Sequence, residues 1–371
     1  MVEWKKLEDC LDYEQPTPYL VKSTEYDDTY DTPVLTAGQS LLLGYTNETD
    51  GIYSASKDNP TIIFDDFTTS FHWIDYSFKV KSSALKMLRP KDCINFRYVF
   101  YSMKCIDFIP GGHQRHWISK YSQFEIPIPP LSEQTRIVGI LDTFTASIEN
   151  LKQQIEERRK QYEYYRDQLL DLEGNEGVEI KTLGEVCEIK GRIGFRGYTR
   201  EDQVEKGEGA ISLSPGNIIN DIIDYDSCTY ITWEKYEESP EIMTYEGDII
   251  LCKTASVGKV AIVAKLPEKA TINPQLVVLK GVTINSKYLY YQLSSYKIQV
   301  ILKGLAGVGS VPNISQAKLS SIEIHVPSVD EQSRIVSILD TFEASIANLE
   351  AQLKLREKQY EYYRNKLLTF E

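Results

Sequence analysis

The chain has 371 residues, of which 42% are hydrophobic and 26% charged, and its formal net charge at pH 7 is −13. This length predicts two or more domains, and this composition excludes collagen-like, disordered and disulfide-scaffold proteins. No apolar run approaches the roughly 18–20 residues of a membrane-spanning helix, and the first residues, MVEWKKLEDC, lack the apolar core of a secretion signal. We therefore expect a cytoplasmic protein that does not enter a membrane and whose six cysteines are reduced.

Acidic and basic residues alternate in blocks, and the same order of blocks occurs twice. Residues 1–78 hold 4 Lys/Arg and 15 Asp/Glu, whereas residues 79–124 hold 9 and 2. Residues 201–250 hold 2 and 13, and residues 253–303 hold 8 and 1. Such a polarity lets each half of the chain present a basic face to phosphates, although solvation of both faces explains the pattern as well.

Short strands are predicted in both halves, each next to polar residues. In the first half, residues 61–64 and 78–81 have the composition of strands, and a stretch rich in hydroxyl groups follows the first of them. In the second half, residues 248–252 and 259–263 flank a turn typical of a hairpin. Hydroxyl groups and lysines on tight turns suit contacts with phosphates, and they also suit an ordinary surface turn. The candidates on these turns are Thr68, Thr69, Ser70, Lys253, Thr254, Ser256 and Lys259.

A glycine-rich loop follows in each half, at residues 111–117 and 304–313, and an Ile-Ser pair comes after each loop, at Ile118 and Ile314. The first loop contains a glutamine and an arginine, the side-chain types that form paired hydrogen bonds with adenine and guanine in the major groove of DNA. The segment GRIGFRGYTR offers similar groups in the second half, although an arginine on a loop is more often an ordinary surface residue. The candidates for contacts with bases are His113, Gln114, Arg115, Arg192, Arg196, Tyr198 and Asn313.

The sequence offers no catalytic or metal-binding pattern. Only four histidines are present, and the pair His113 and His116 has no evident third ligand for a metal. A Walker phosphate-binding loop and the motif of an adenine methyltransferase are both missing. We therefore expect a non-catalytic protein that uses no cofactor and no metal.

A long internal repeat determines the predicted architecture. Residues 126–173 and 324–371, aligned without gaps at an offset of 198, are identical at 29 of 48 positions. Such a period is far too long for a solenoid, so we interpret it as the duplication of a unit made of one domain and one helix. The sequence ahead of the two copies diverges, apart from a weak similarity between VEWKKLEDC and VEIKTLGEVC.

Each copy of the repeat predicts one long helix with an apolar stripe. Apolar residues recur at steps of three and four, the pattern of a coiled-coil seam, and about 40 residues at about 1.5 Å each make a rod of about 60 Å. Because neither helix can bury its stripe alone, we expect the two helices to pair antiparallel, with a parallel pair as the alternative. Arg158 and Arg356 interrupt the stripe, and they either face Glu or Tyr hydroxyl groups or extend into solvent.

A second apolar face is predicted near the start of each long helix. This face must be covered either by the domain of the same unit or by another protein. Its candidate docking residues are Val138, Leu141, Val336 and Leu339.

The repeat resembles a known family, the specificity subunits of type I restriction–modification systems. Two segments are similar to the hallmarks of that family: residues 126–134, IPIPPLSEQ, and residues 324–332, IHVPSVDEQ. Each segment is followed by Arg-Ile-Val and the long helix. His325 and Ser328 stand where the family usually has proline. The resemblance implies two target-recognition domains that read the two halves of a split sequence in double-stranded DNA. It also implies that two methyltransferase subunits dock on the chain, that restriction subunits bind through them, and that the chain has no catalytic residues of its own.

We therefore predict an α+β protein with two similar mixed α/β target-recognition domains, joined by two long helices in an antiparallel intramolecular coiled coil with pseudo-twofold symmetry. The predicted segments are a first domain at residues 1–130, a central helix at 131–173, a second domain at 174–328 and a C-terminal helix at 329–371. The predicted function is recognition of a bipartite, asymmetric DNA site, with the helices setting the spacer between its halves. Two alternatives stay open: a protein-only coiled-coil scaffold with peptide-binding domains, and a nuclease or methyltransferase without a recognisable motif.

Overall fold

A computed structural model describes residues 2–38, 41–91, 94–111, 114–192, 198–307 and 311–370. The chain divides into two compact units: unit 1 comprises Met1–Lys152 and Ala351–Glu371, and unit 2 comprises Gln153–Glu350. Each unit therefore contains one globular part and a portion of both long helices, and the four-segment division predicted from the sequence stays a prediction. None of the helices in the described stretches is long and apolar enough to cross a membrane.

The first part of the chain folds into short strands and two short helices before a helix of 40 residues begins. Its elements are β1 (Glu3–Lys6), α1 (Leu7–Cys10), β2 (Leu11–Glu14), β3 (Thr32–Leu35), β4 (Leu42–Thr46), β5 (Thr61–Asp65), β6 (Phe71–Ile74), β7 (Lys79–Val80), β8 (Leu85–Pro90), α2 (Phe96–Met103), β9 (Glu125–Ile128) and α3 (Leu131–Leu170). The strands predicted at 61–64 and 78–81 are confirmed as β5 and β7.

Four strands form the central antiparallel sheet of unit 1, in the order β2-β8-β5-β6. Because successive side chains of a strand alternate between its faces, Ile62 and Phe64 of β5 share a core with α2 and with Leu141 of α3. Ile63 faces the other way and packs in a second core with residues of β3 and β7. The remaining strands form a sheet in the order β4-β3-β7 and a separate antiparallel pair of β1 with β9.

The second part of the chain has more strands and also ends in a helix of 40 residues. Its elements are β10 (Glu179–Thr182), α4 (Leu183–Val186), β11 (Glu188–Lys190), β12 (Gln203–Val204), β13 (Gly209–Leu213), β14 (Ile218–Ile219), β15 (Ile222–Ile223), β16 (Thr229–Thr232), α5 (Trp233–Glu237), β17 (Met243–Thr244), β18 (Ile249–Cys252), β19 (Val260–Ile262), β20 (Ala270–Ile272), β21 (Leu276–Lys280), α6 (Ser286–Ser294), α7 (Tyr296–Leu305), α8 (Gln316–Ser320), β22 (Glu323–Val326) and α9 (Val329–Leu368).

The central sheet of unit 2 has the order β11-β21-β18-β19, which corresponds strand for strand to the central sheet of unit 1. Ile249 and Leu251 of β18 share a core with α6 and with Leu339 of α9. Ile250 faces the other way, into a core with the five-stranded sheet β12-β16-β13-β20-β17. The hairpin predicted around residues 253–258 is confirmed, since β18 and β19 pair antiparallel on either side of it.

The long helices α3 and α9 pair antiparallel within each unit. In unit 1, Phe144 of α3 stacks on Tyr363 of α9 with ring centroids 5.4 Å apart. In unit 2, the Arg159 guanidinium donates to the Glu350 carboxylate, and six residues later Tyr165 stacks on Phe342 at 5.5 Å. The partner in α9 therefore moves toward the start of that helix as α3 advances. The predicted antiparallel pair is confirmed, and the parallel alternative is wrong.

The two arginines in the apolar stripe face aromatic rings of the opposite helix. The Arg158 guanidinium lies 5.9 Å from the centre of the Phe342 ring, and that of Arg356 lies 5.7 Å from the Phe144 ring. Both phenylalanines also stack on a tyrosine of the opposite helix, so each ring lies between an arginine and a tyrosine. Cation–π contacts inside the helix pair therefore account for the place of these arginines in the stripe, whereas a role of Glu or Tyr hydroxyl groups as their partners stays a prediction.

Candidate nucleic-acid interface

A buried glutamine attaches the globular part of each unit to the start of a long helix. In unit 1, Asn95 N donates to Gln134 Oε1 (3.0 Å), and Gln134 Nε2 donates to Pro129 O (2.8 Å). The oxygen and the nitrogen of the buried side-chain amide are therefore both hydrogen-bonded, as burial requires. In unit 2 the corresponding bonds join Gln332 to Asn285 (3.0 Å) and Pro327 (2.9 Å).

A tyrosine of the short helix makes a second attachment in each unit. Tyr101 Oη of α2 donates to Asp142 Oδ1 of α3 (2.5 Å), and Tyr291 Oη of α6 donates to Asp340 Oδ1 of α9 (2.7 Å). Burial, followed by the bond to the aspartate, raises the pKa of both tyrosines, so both hydroxyl groups stay protonated donors at neutral pH. The same two aspartates accept ion pairs from Arg97 (2.9 Å) and Lys287 (2.7 Å).

These attachments were not predicted, although the sequence contains a signal for them. Residues 94–101 read INFRYVFY and residues 284–291 read INSKYLYY, with Ile, Asn and two Tyr in common. Their offset is 190 rather than 198, so a gapless alignment of the long repeat does not bring them together. In both units the asparagine side chain caps the helix by accepting from the backbone N–H of the first tyrosine, Tyr98 or Tyr288.

The turn between β5 and β6 is closed by Asp65. Its carboxylate accepts from Phe67 N (3.0 Å) and from Thr68 Oγ1 (2.6 Å), and its backbone N–H donates to Ser70 O (2.8 Å). Thr69 is 9% exposed, has a φ of +58°, and donates from Oγ1 to Thr68 O (2.7 Å). The hydroxyl groups of the two threonines therefore stabilise the turn, with Thr68 on its exposed side and Thr69 inside.

The structure brings the glycine-rich loop of unit 1 against this turn. His116 N donates to Asp66 O (2.9 Å), and Trp117 N donates to Asp66 Oδ1 (2.8 Å). Gln114 and Arg115, just ahead of these anchors, are exposed. Two segments that are separate in sequence thus form one surface next to the central sheet. His113 lies outside the described residues.

Unit 2 brings the corresponding segments together through different residues. Thr254 Oγ1 donates to Asn313 Oδ1 (2.6 Å), and Ile314 N donates to Lys253 O (2.9 Å). Ser256 is exposed on the same turn, and Lys253 is partly exposed. The predicted candidates on the hairpin turn and on the second glycine-rich loop are therefore neighbours in space.

Two of the predicted cationic candidates donate to backbone carbonyls of their own chain, and their contacts with DNA stay predictions. Lys259 Nζ donates to the backbone carbonyls of Pro215 and Ile218, both at 2.9 Å, although the residue is exposed. Arg192 is only 6% exposed and donates from Nε to Ile272 O (3.1 Å). Burial lowers the pKa of Arg192. Tyr198, whose ring lies 5.6 Å from the Arg192 guanidinium, accepts from Ser212 Oγ, and Arg196 lies outside the described residues.

The Ile-Ser pairs that follow the two loops are not equivalent in the structure. Ile314 is fully buried, whereas Ile118 is 60% exposed. His116 takes the place of Ile314, because its backbone N–H bonds to the turn just as that of Ile314 does. The His116 ring is fully buried, and neither of its nitrogens has a hydrogen-bond partner among the described residues. Within the same part of the chain, no group of three or more His, Cys, Asp or Glu side chains could hold a metal ion.

The predicted docking face is covered largely by the chain itself. Leu141 and Leu339 are fully buried in the cores of their own units, so their side chains are covered without a partner, and their docking role stays a prediction. Val138 is partly exposed and Val336 is 9% exposed. Beside Val336 runs a shallow groove of about 520 Å³, lined by Asn285, Ser333, Val336, Ser337, Asp340, Thr341 and Ala344.

Comparisons with known proteins give consistent matches over the whole chain. The family model described as the type I restriction modification DNA specificity domain matches residues 1–158 and 175–356. The specificity subunit of the Escherichia coli type I restriction enzyme EcoR124I/EcoR124II is 42% identical over all of this chain and 94% of that protein. A putative type I specificity subunit of Haemophilus influenzae is 28% identical over all of this chain and 96% of that protein.

Solved structures share the fold at much lower sequence identity. The S subunit of a type I restriction–modification system from M. genitalium matches with a TM-score of 0.62 and 16% identity, over 100% of this chain and 97% of that one. A chain from a study of complex assembly and conformational transition in the type I system matches with a TM-score of 0.59 and 16% identity, over 99% and 96%. The predicted fold class, with similar mixed α/β parts and a pair of long helices, is confirmed.

Proposed function

The chain belongs to the family of type I restriction–modification DNA specificity subunits, and we propose that each of its units reads one half of an asymmetric, two-part DNA sequence. One contrast carries this proposal. The bonds that attach the globular parts to the long helices are the same in both units, whereas the paired loops at the central sheets are held by different residues. Different loops on globular parts that are attached in the same way suit the reading of two different half-sites.

In unit 1, the exposed side chains of Gln114 and Arg115 are the proposed base contacts. Their amide and guanidinium groups form paired hydrogen bonds with adenine and guanine, and each such pair contributes about 1–3 kcal/mol of discrimination. In unit 2, Thr254, Ser256 and Asn313 offer hydroxyl and amide groups without a guanidinium on the described loop segments. The two halves of the site should therefore differ in sequence.

The paired helices are proposed to set the number of unread base pairs between the halves. A matched insertion of four residues, between residues 152 and 153 in α3 and between residues 350 and 351 in α9, lengthens both helices by about 6 Å. This length corresponds to about two base pairs, at about 3.4 Å each. The spacer should grow by that amount while both half-sites stay the same, and an unchanged spacer would contradict the proposal.

Methyltransferase subunits are proposed to dock on the long helices, and restriction subunits to bind through them. The groove beside Val336 supports a docking site on α9, because it follows one face of the helix and ends at Asn285, whose attachment to the helix has an equivalent in unit 1. With 54 Asp/Glu against 41 Lys/Arg, the chain has a net charge of −13 and little overall attraction to phosphates, so its partners should supply most of the nonspecific attraction to DNA. The same partners would supply catalysis.

The direct test is to express the chain with a type I methyltransferase subunit and to map methylated adenines across a genome. A motif of two different halves with a fixed spacer is expected. A single uninterrupted motif would contradict two-part reading. If the complex binds no duplex DNA in a salt-sensitive manner, the alternative of a protein-only scaffold is favoured instead.

A further inference from the structure

A buried ion pair lies behind the loop that carries Gln114 and Arg115. Asp66 and Lys86 are each 1% exposed, and Lys86 Nζ lies 3.5 Å from Asp66 Oδ2. The same ammonium group donates to Gln15 Oε1 at 2.8 Å. Charged side chains are almost never buried this deeply unless they are paired, so the pair needs an explanation.

Asp66 uses all of its acceptor groups, and most of them bind the loop. Its backbone carbonyl accepts from His116 N and its Oδ1 from Trp117 N, while Oδ2 faces Lys86. The two loop bonds follow directly after Arg115 in the chain. Asp66 is also the first residue after β5, so one residue connects the turn, the loop and the sheet.

Lys86 occupies a position that the other unit fills with an apolar residue. On β8 it lies opposite Phe64 of β5, and the corresponding pair in unit 2 is Val277 opposite Leu251. Burial lowers the pKa of Lys86, the Asp66 carboxylate opposes that change, and the Arg115 guanidinium adds to it. The Arg115 side chain is therefore close enough to Lys86 for its charge to act on the buried ammonium group.

We propose that Asp66, paired with Lys86, is a positioning residue that fixes Gln114 and Arg115 and thereby determines the sequence selectivity of unit 1. This inference rests on the proposed function, since it assigns a cause to the selectivity of one half-site. Unit 2 holds its loop through Thr254 and Asn313, so the ion pair should have no influence on the other half.

Two double variants separate the positioning role from the burial of charge. In Asp66→Asn/Lys86→Met both charges are removed, and the new amide oxygen can still accept from Trp117 N. In Asp66→Ala/Lys86→Met both charges are also removed, but that acceptor is lost. Each variant is expressed with the methyltransferase subunit, and its methylation motif is mapped at every position of both half-sites.

We expect the asparagine variant to keep the two-part motif of the wild type. The alanine variant should lose at least about 10-fold of its discrimination at positions in the first half, with the second half unchanged, a loss similar to that of one paired base contact. The inference is overturned if the alanine variant keeps full selectivity, or if both halves relax equally. If the wild type itself yields no two-part motif, the proposed function fails rather than the role of Asp66.

Glu48→Gln is the matched control for loss of stability in the same unit. Glu48 Oε2 lies 3.0 Å from Nζ of Lys79, which is also 1% exposed, so this change leaves a buried lysine without its carboxylate at a site apart from the loop. It should lower the melting temperature and leave the first half of the motif unchanged. Relaxed selectivity in Glu48→Gln would show that loss of stability alone changes the motif, and would overturn the inference.

Discussion

Units 1 and 2 use the same bonds at their long helices and share one backbone bond at their loops, but the side-chain bonds of the loops differ. Tyr101 with Asp142 in unit 1 is matched by Tyr291 with Asp340 in unit 2. At the loops, Trp117 N donates to the carboxylate of Asp66 in unit 1. In unit 2 the Thr254 hydroxyl donates to the side-chain amide oxygen of Asn313 instead. We infer that the attachment to the helices and the shape of the loops are separable, so a loop can change its sequence while its unit keeps the same attachment to the long helices.

A second difference lies inside the helix pair. Tyr162 and Tyr360 occupy equivalent positions of the repeat, but Tyr162 Oη donates to Glu343 at 3.2 Å, whereas unit 1 has Thr145 at the position of that glutamate. Thr145 instead lies 3.1 Å from Tyr101 Oη. Tyr360 Oη is buried and has no hydrogen-bond partner of acceptable geometry among the described residues. The helix pair is therefore similar in sequence in the two units, but the hydrogen bonding of the equivalent tyrosine hydroxyl groups differs.

The largest expected effect tests whether the equivalent leucines belong to the two cores. Leu141→Ala and Leu339→Ala should each lower the free energy of unfolding by about 2–5 kcal/mol, because each leaves a cavity in a closely packed core. Urea unfolding of both variants measures this loss. Leu355→Ala is the control on α9, where the leucine is 58% exposed, and it should cost less than about 0.5 kcal/mol. Unchanged stability with lost methyltransferase binding would favour the docking role instead.

The next effect concerns Tyr101 and Tyr291 at high pH. Their pKa values are raised in the folded state, so the unfolded chain releases these protons first, near its ordinary pKa of about 10. The stability that they contribute is therefore complete below about pH 10 and falls by about 1.4 kcal/mol per pH unit for each tyrosine above it. Tyr101→Phe and Tyr291→Phe should each make the fall between pH 10 and 11 shallower in urea unfolding. Unchanged slopes in both variants would contradict the raised pKa values of these tyrosines.

An exchange of His116 and Ile314 tests whether these positions are equivalent. Ile314→His should destabilise unit 2 by about 1–3 kcal/mol, because it buries polar nitrogens in an apolar core. His116→Ile should stabilise unit 1 by about 1 kcal/mol, since it removes two unpaired nitrogens. Thermal unfolding of the two variants measures whether each substitution raises or lowers the stability. A loss of stability in His116→Ile would mean that the imidazole has a partner outside the described residues.

The smallest effect compares the two tyrosines of the helix pair. Tyr162→Phe should cost about 1 kcal/mol because it removes a bond to a carboxylate, whereas Tyr360→Phe should change the free energy of unfolding by less than about 0.5 kcal/mol. The two substitutions remove the same atom from equivalent positions, so each is the control for the other in urea unfolding. Equal losses of unfolding free energy in the two variants would contradict the difference in hydrogen bonding between the two tyrosines.

The long helices were predictable because their signals are local. The apolar steps and the prolines before residues 131 and 329 place the starts of α3 and α9 correctly, although α3 ends at Leu170 rather than at residue 173. The bonds of Arg192 to the carbonyl of Ile272 and of Lys259 to the carbonyls of Pro215 and Ile218 could not be predicted, because they join segments far apart in the sequence and no local pattern specifies them.

The loops were partly predictable. Turn chemistry and glycine content located the turn and the glycine-rich loop in each half. The contact between turn and loop depends on Asp66 in unit 1 and on Thr254 in unit 2, and neither residue type by itself predicts a bond to a distant segment. The segments around Asn95 and Asn285 are similar in sequence. The stretches between them and the long helices differ in length, so a gapless alignment of the long repeat does not pair these segments.

The most direct test of the central claim is a domain exchange followed by methylation mapping. Residues 1–125 are replaced by the corresponding segment of the Escherichia coli relative, and the chimera is expressed with the same methyltransferase subunit. The account predicts that one half of the motif changes to a new sequence, while the other half and the spacer length stay as they were. A change in both halves, or in neither, would contradict separate reading by the two units.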